Sequence, residues 1–135
     1  MEKITDWLYT GGKTTTAAIA HHKIGYVINI SGIPAEYKVD SVLKIADRGS
    51  NNDPKQFVEI LKEIDKARKE EKTPIFLMCH AGVSRSPAIA ALYLYYKHEF
   101  ASLDEALEYI TKQNRMARPN PNLVDFIKAK VLPLL

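Results

Sequence analysis

The chain contains a single cysteine, and an arginine stands six positions after it, in Cys79-His80-Ala81-Gly82-Val83-Ser84-Arg85-Ser86. A cysteine attacks as its thiolate, so it needs surroundings that favour the anion. A loop that leaves a strand and opens a helix supplies them: unpaired backbone N–H groups and the positive end of the helix dipole. The amides of His80, Ala81, Gly82, Val83, Ser84 and Arg85 then surround an anion of phosphate size. Gly82 gives that loop a backbone freedom that other residues lack. The planar guanidinium of Arg85 grips two phosphate oxygens at once, which a lysine does not do. It also stabilises charge on the oxygens of a transferring phosphoryl group. Ser86 is placed to donate a hydrogen bond to the sulfur and so ease its departure when a phosphocysteine is hydrolysed. Taken singly, these residues have plain readings. A cysteine at a strand end is an inert core residue, and an arginine at a helix start is unfavourable without an anion. Together within eight residues they point to nucleophilic attack on a phosphate ester.

The elements around this segment are readable from pattern. Pro74 to Cys79 is an uninterrupted apolar run, as in a strand buried on both faces of a parallel sheet. A helix follows from Ser86-Pro87. Upstream, Trp7 to Tyr9, Tyr26 to Ile30 and Val42 to Ala46 read as strands, with Gly11-Gly12 ending the first. Thr14 to His22 reads as a short helix, and Ile33 to Asp40 as an exposed connection. Asp53, Pro54 and Gln56 mark a helix start with a capping box, and Phe57, Ile60, Leu61, Ile64 and Ala67 continue it at helical spacing. Its tail, the charged Lys66–Lys72 stretch, reads as a solvated helix face. Ser102 and Glu105 form a second capping box opening a helix toward Asn114, and Asn122 is a candidate cap for a last helix to Leu132. Strand and helix alternate, which predicts an α/β domain over residues 1–135 with a central, mostly parallel sheet of four to five strands flanked by helices.

Composition bounds the rest. A chain of 135 residues is one domain, and at this size its core needs no disulfide or metal. One cysteine excludes a disulfide framework and a multi-thiolate zinc site. A net charge of +3 without a long basic block predicts no nucleic-acid partner. The longest apolar stretch, Ala88 to Tyr96, spans half a membrane, and the N-terminus lacks the apolar core of a signal peptide. The expectation is a cytoplasmic protein with no membrane association.

The Cys79–Pro87 segment resembles the signature loop of the cysteine-dependent protein tyrosine phosphatases, in the form found in their dual-specificity branch. The resemblance extends over most of the chain. It implies that Asp47, 32 residues before Cys79, is the general acid and base, and that Arg115, Pro119 and Asn120 match a supporting segment before the final helix. It further implies two chemical steps: attack of Cys79 on phosphorus, then hydrolysis of the thiophosphate. No metal or cofactor is implied. The expected ligands are phosphorylated proteins or peptides, and oxyanions such as phosphate, vanadate, sulfate or tungstate in the loop. Asp53 is a rival acid, but its place before Pro54 explains it as a cap. One position departs from the family. Met78 stands where a histidine usually precedes the cysteine, and a thioether cannot supply that residue's hydrogen bonds. A looser loop and slower turnover are expected from it.

Three functional readings follow. The first is a protein phosphatase acting on phosphotyrosine and on phosphoserine or phosphothreonine. The second keeps the chemistry but takes a phosphoinositide, glycan or RNA 5′-phosphate; a loop interior free of lysine and the small net charge disfavour it. The third is a phosphate-binding module of weak activity, motivated by Met78. Other signals fail. Gly12-Lys13-Thr14 lacks the earlier glycine of a nucleotide-binding loop, since Trp7 stands there. His21-His22 diverge on a helix and read as a surface pair. Arg118 reads either as an exposed base or as a contact for a second anionic group.

Overall fold

The computed structural model describes residues 1–135. Five strands form one sheet: β1 (Glu2–Thr5), β2 (Leu8–Gly11), β3 (Tyr26–Asn29), β4 (Ser41–Val42) and β5 (Ile75–Met78), in the order β1-β2-β5-β3-β4. β2, β5, β3 and β4 run parallel, and β1 pairs antiparallel with β2 at one edge. The helices are α1 (Thr16–His21), α2 (Pro54–Lys69), α3 (Arg85–Tyr96), α4 (Leu103–Gln113) and α5 (Pro121–Phe126).

β5 is central, and all four of its residues are buried, as its apolar run requires. Alternation along it feeds two cores. Ile75, Leu77 and then Cys79 face the larger one, with Phe57, Ile64, Ile89, Leu92 and Tyr93. Phe76 and Met78 face the smaller one, with Val27, Tyr37, Ile19 and Ile24. α3 is buried from Ser86 to Leu94, which explains why its sequence is apolar on every side.

The boundaries differ from sequence expectation where pairing or packing outweighs pattern. β1 carries one buried residue, Ile4, too little for a periodic signal. The first parallel strand runs through Gly11, because the Gly11 carbonyl accepts the Cys79 N–H at 3.0 Å. The expected Val42–Ala46 strand overlaps the regular β4, Ser41–Val42, at Val42 alone; beyond it Leu43 and Ile45 still donate to Asn29 and Ile30 at 3.0 and 2.9 Å along the sheet edge. The capping box at Asp53 and Gln56 is complete. At Ser102 it is half-formed, because Glu105 reaches the Ala101 N–H instead. The last helix is capped by Asn120, not Asn122, with Pro121 at its first position. It continues through a π-helical turn at Ile127–Val131 and a 3-10 turn at Leu132–Leu134.

Candidate active site

β5 delivers Cys79 to the carboxyl end of the sheet, and α3 begins at Arg85. The loop between them is built against the end of β2. Gly12 and Ala81 form a β-bridge, and the Lys13 N–H donates to the His80 carbonyl at 3.1 Å. Two glycines make this contact possible. A Cβ on Gly82, which has φ +74°, would lie 2.3 Å from the Gly12 nitrogen; one on Gly12 would lie 2.6 Å from the His80 oxygen. Gly11-Gly12 is therefore the floor of the loop as well as the end of a strand. Sequence reading missed that role, since the partners lie about seventy residues apart. The backbone N–H groups of His80, Ala81, Val83, Ser84 and Arg85 make no bond within the protein. That leaves these donors free for an anion.

Cys79 is buried, and its Sγ lies 3.3 Å from Ser86 Oγ. The Ser86 hydroxyl in turn lies 3.4 Å from the Gly11 carbonyl. Arg85 is half-buried and donates from Nη1 to the Ile45 carbonyl at 3.0 Å, which anchors one arm of its fork.

Asp47 reaches the same loop from the other side of the site. Ser84 Oγ donates to its Oδ1 at 2.5 Å, and Asn120 Nδ2 donates to its Oδ2 at 3.2 Å. The Asn120 backbone N–H completes the triangle with a 2.8 Å bond to Ser84 Oγ. The segment after Asp47 is pinned in turn. Asn52 bonds both the N–H and the carbonyl of Ala46 at 2.7 and 2.9 Å, and Asn122 accepts from the Gly49 N–H at 2.7 Å. Gly49 serves close approach: a Cβ there would sit 2.2 Å from Cβ of Phe126 on α5. Asn122, expected as a helix cap, is instead spent on this loop.

The supporting residues separate. Asn120 is drawn into the site. Arg115 is exposed, and its guanidinium makes no hydrogen bond or ion pair. The bond from its segment to the loop comes from the Arg118 backbone N–H, 2.5 Å from the Val83 carbonyl. Buried Asn114 shapes that turn by accepting from the Met116 N–H at 3.0 Å. Met78 points away from the loop into the smaller core, where the buried Tyr37 hydroxyl donates to its Sδ at 3.0 Å. Burial there, and then the Glu36 charge, push the Tyr37 hydroxyl pKa up. His80 and Ala81 are exposed at the rim. No helix is long and apolar enough to cross a membrane.

Comparison with known proteins agrees with this geometry. Human dual specificity protein phosphatase 7 is 28% identical over 137 aligned residues; the match covers 92% of this chain and 32% of that protein, so the chain spans about a third of its length. Among solved structures, human DUSP28 superposes with a TM-score of 0.84 at 17% identity, over 99% of this chain and 97% of that one. A mouse structure complexed with zinc tungstate superposes with a TM-score of 0.79 at 18% identity, over 98% and 87%. Residues 7–130 match the family model described as the catalytic domain of dual specificity phosphatases, a span that holds every element of the Cys79 loop and its supports; the chain belongs to that family.

Proposed function

We propose that this chain hydrolyses phosphate monoesters on phosphotyrosine and on phosphoserine or phosphothreonine of proteins, through a phosphocysteine intermediate. One observation carries the reading: the Asp47 carboxyl is hydrogen-bonded to Ser84, a member of the loop that opens with Cys79. A carboxyl and a cysteine held on one anion-sized loop can supply both the proton and the nucleophile that ester cleavage needs.

In the first step the Cys79 thiolate attacks phosphorus while the phosphate oxygens rest on the free loop amides and the Arg85 fork. The bond to the leaving oxygen breaks, and Asp47 protonates that oxygen. In the second step Asp47, now a carboxylate, takes a proton from water. The water oxygen attacks phosphorus, the S–P bond breaks, and inorganic phosphate leaves. The Ser86 hydroxyl has one proton and two neighbours. It serves the Gly11 carbonyl while the sulfur is protonated and turns to the sulfur when a thiolate must depart. The tungstate of the mouse structure belongs to the class of oxyanion that the five free amides suit here. Cys79 must stay reduced to act in this way, which favours a reducing compartment such as the cytoplasm.

Met78 favours a second reading, a phosphate-binding module with little turnover, because the residue before the nucleophile bonds to Tyr37 rather than to the loop. Hydrolysis of p-nitrophenyl phosphate against pH, with a chelator present, separates the two. A bell-shaped profile that disappears in Cys79→Ser supports the enzyme, its limbs reporting the nucleophile and the acid. Vanadate binding without turnover supports the module.

A further inference from the structure

A groove of about 760 Å³ lies away from the Cys79 loop, where the carboxyl ends of α2 and α3 meet. α3 starts in that loop, and its 12 residues carry the chain about 18 Å away from it. Five cations line the groove, Lys62, Lys66, Arg68, Lys69 and Lys97, against two acids, Asp65 and Glu70. Both acids are engaged within the chain. Asp65 pairs with Lys97 at 3.2 Å and accepts from the Tyr93 hydroxyl; Glu70 pairs with Lys72 at 3.4 Å. Arg68 is committed too, stacked 4.0 Å over the Trp7 ring and donating to the Tyr93 hydroxyl at 3.2 Å. Lys62, Lys66 and Lys69 have no acidic partner in the chain. They stand at i, i+4 and i+7, one above the other on a single face of α2. The two helix ends contribute about half a negative charge each, which offsets roughly one of these three ammonium groups. A positive excess remains, in a concave surface and without a counter-ion.

We propose that this groove docks an acidic peptide segment of a partner protein, at a distance from the active site. Its shape and lining select that occupant. Tyr93 is its only apolar lining residue, and the exposed large apolar side chains Val42, Met116, Leu134 and Leu135 all lie elsewhere, so nothing wedges into a lipid surface. The Tyr93 ring is buried and its hydroxyl spent, so no aromatic face is offered to a nucleic-acid base. Three ammonium groups spaced along a helix match a short run of aspartates and glutamates, and flexible lysines tolerate several registers of it.

The test is fluorescence anisotropy of a short Glu-rich peptide without phosphate, titrated with the full chain. The variant K62E/K66E/K69E is compared with K23E/K55E/K130E, which makes the same change in net charge at exposed lysines with no ion pair. Both variants should hydrolyse p-nitrophenyl phosphate at the parental rate. The groove variant should weaken binding roughly tenfold and the control less than about twofold, in line with exposed ion pairs. Saturating vanadate should leave binding unchanged. Absence of binding, equal weakening in both variants, displacement by vanadate, or tighter capture of single-stranded RNA or anionic vesicles would each overturn the proposal. Should the triple variant fail to fold, single Lys66→Gln and Lys69→Gln variants carry the test, each weakening binding about threefold.

Discussion

Asp47 accepts from both Ser84 and the Asn120 amide, so its carboxyl is held in place before any substrate arrives. An amide of the same size keeps the position and loses the transferable proton. Asp47→Asn is therefore expected to lower kcat on a phosphotyrosine peptide by about 10²–10⁴-fold. The loss on p-nitrophenyl phosphate should be smaller, because that leaving group needs less protonation; equal losses on both substrates would assign Asp47 a structural role instead. Met78 invites the opposite substitution. Its side chain lies across the sheet from the sulfur, so it acts on Cys79 only through the end of β5. Met78→His, with Tyr37 free to donate to the ring, should raise kcat/KM; a fall at unchanged Tm would show that the thioether is no handicap. Cys79, Arg85 and Ser86 were legible because eight consecutive residues carry their chemistry. Asp47 and Asn120 were reached only through resemblance, and Tyr37 not at all. Its partner Met78 is 41 residues away, and nothing in the segment around Tyr37 marks it as buried.

At the scale of elements, the two long loops of the site are held by close backbone contacts. Gly49 brings the Asp47 loop against α5, and its sequence neighbours Ser50, Asn51 and Asn52 read simply as turn formers. Packing on Phe126 and the bond to Asn122, 73 residues apart in sequence, give the segment a defined seat. A methyl group at Gly49 forces Phe126 aside. Gly49→Ala should cost about 1–3 kcal/mol by overpacking and lower turnover together with Tm. Adding Phe126→Gly, which removes the Cβ that the new methyl meets, should restore part of the turnover even as the core loses the ring; no recovery would mean that the loop is seated by its hydrogen bonds alone. Helices and the central strand were readable because periodicity and capping act locally. β1 was not, because edge pairing leaves one side of the strand exposed and blurs the alternation. Val42–Ala46 reads as a strand, but at the sheet edge only its first residue keeps regular pairing while Leu43 and Ile45 hold single bonds.

For the whole molecule, a mixed sheet between two cores presents the Cys79 loop at one end and the basic groove where α2 and α3 finish. The groove rests on Tyr93, whose hydroxyl is pushed up to about 12 by burial and then by the Asp65 hydrogen bond. The folded state therefore holds this proton more tightly than the unfolded chain, whose value is the ordinary 10.0. Stability from this source is complete below pH 10 and is lost as pH rises to about 12. Tyr93→Phe should flatten the fall of Tm across that window; an unchanged slope would exclude Tyr93 as its cause. Phosphate transfer through the sulfur of Cys79 is the claim on which the catalytic account depends. Stopped-flow release of p-nitrophenolate by Ser86→Ala tests it most directly, because that variant weakens thiolate departure and so slows the second step alone. The account predicts a burst of about one product per protein before a slow steady rate, a mark of an accumulating covalent intermediate, and no burst in Cys79→Ser. Steady release from the first turnover in Ser86→Ala, or a burst that survives loss of the thiol, would contradict it.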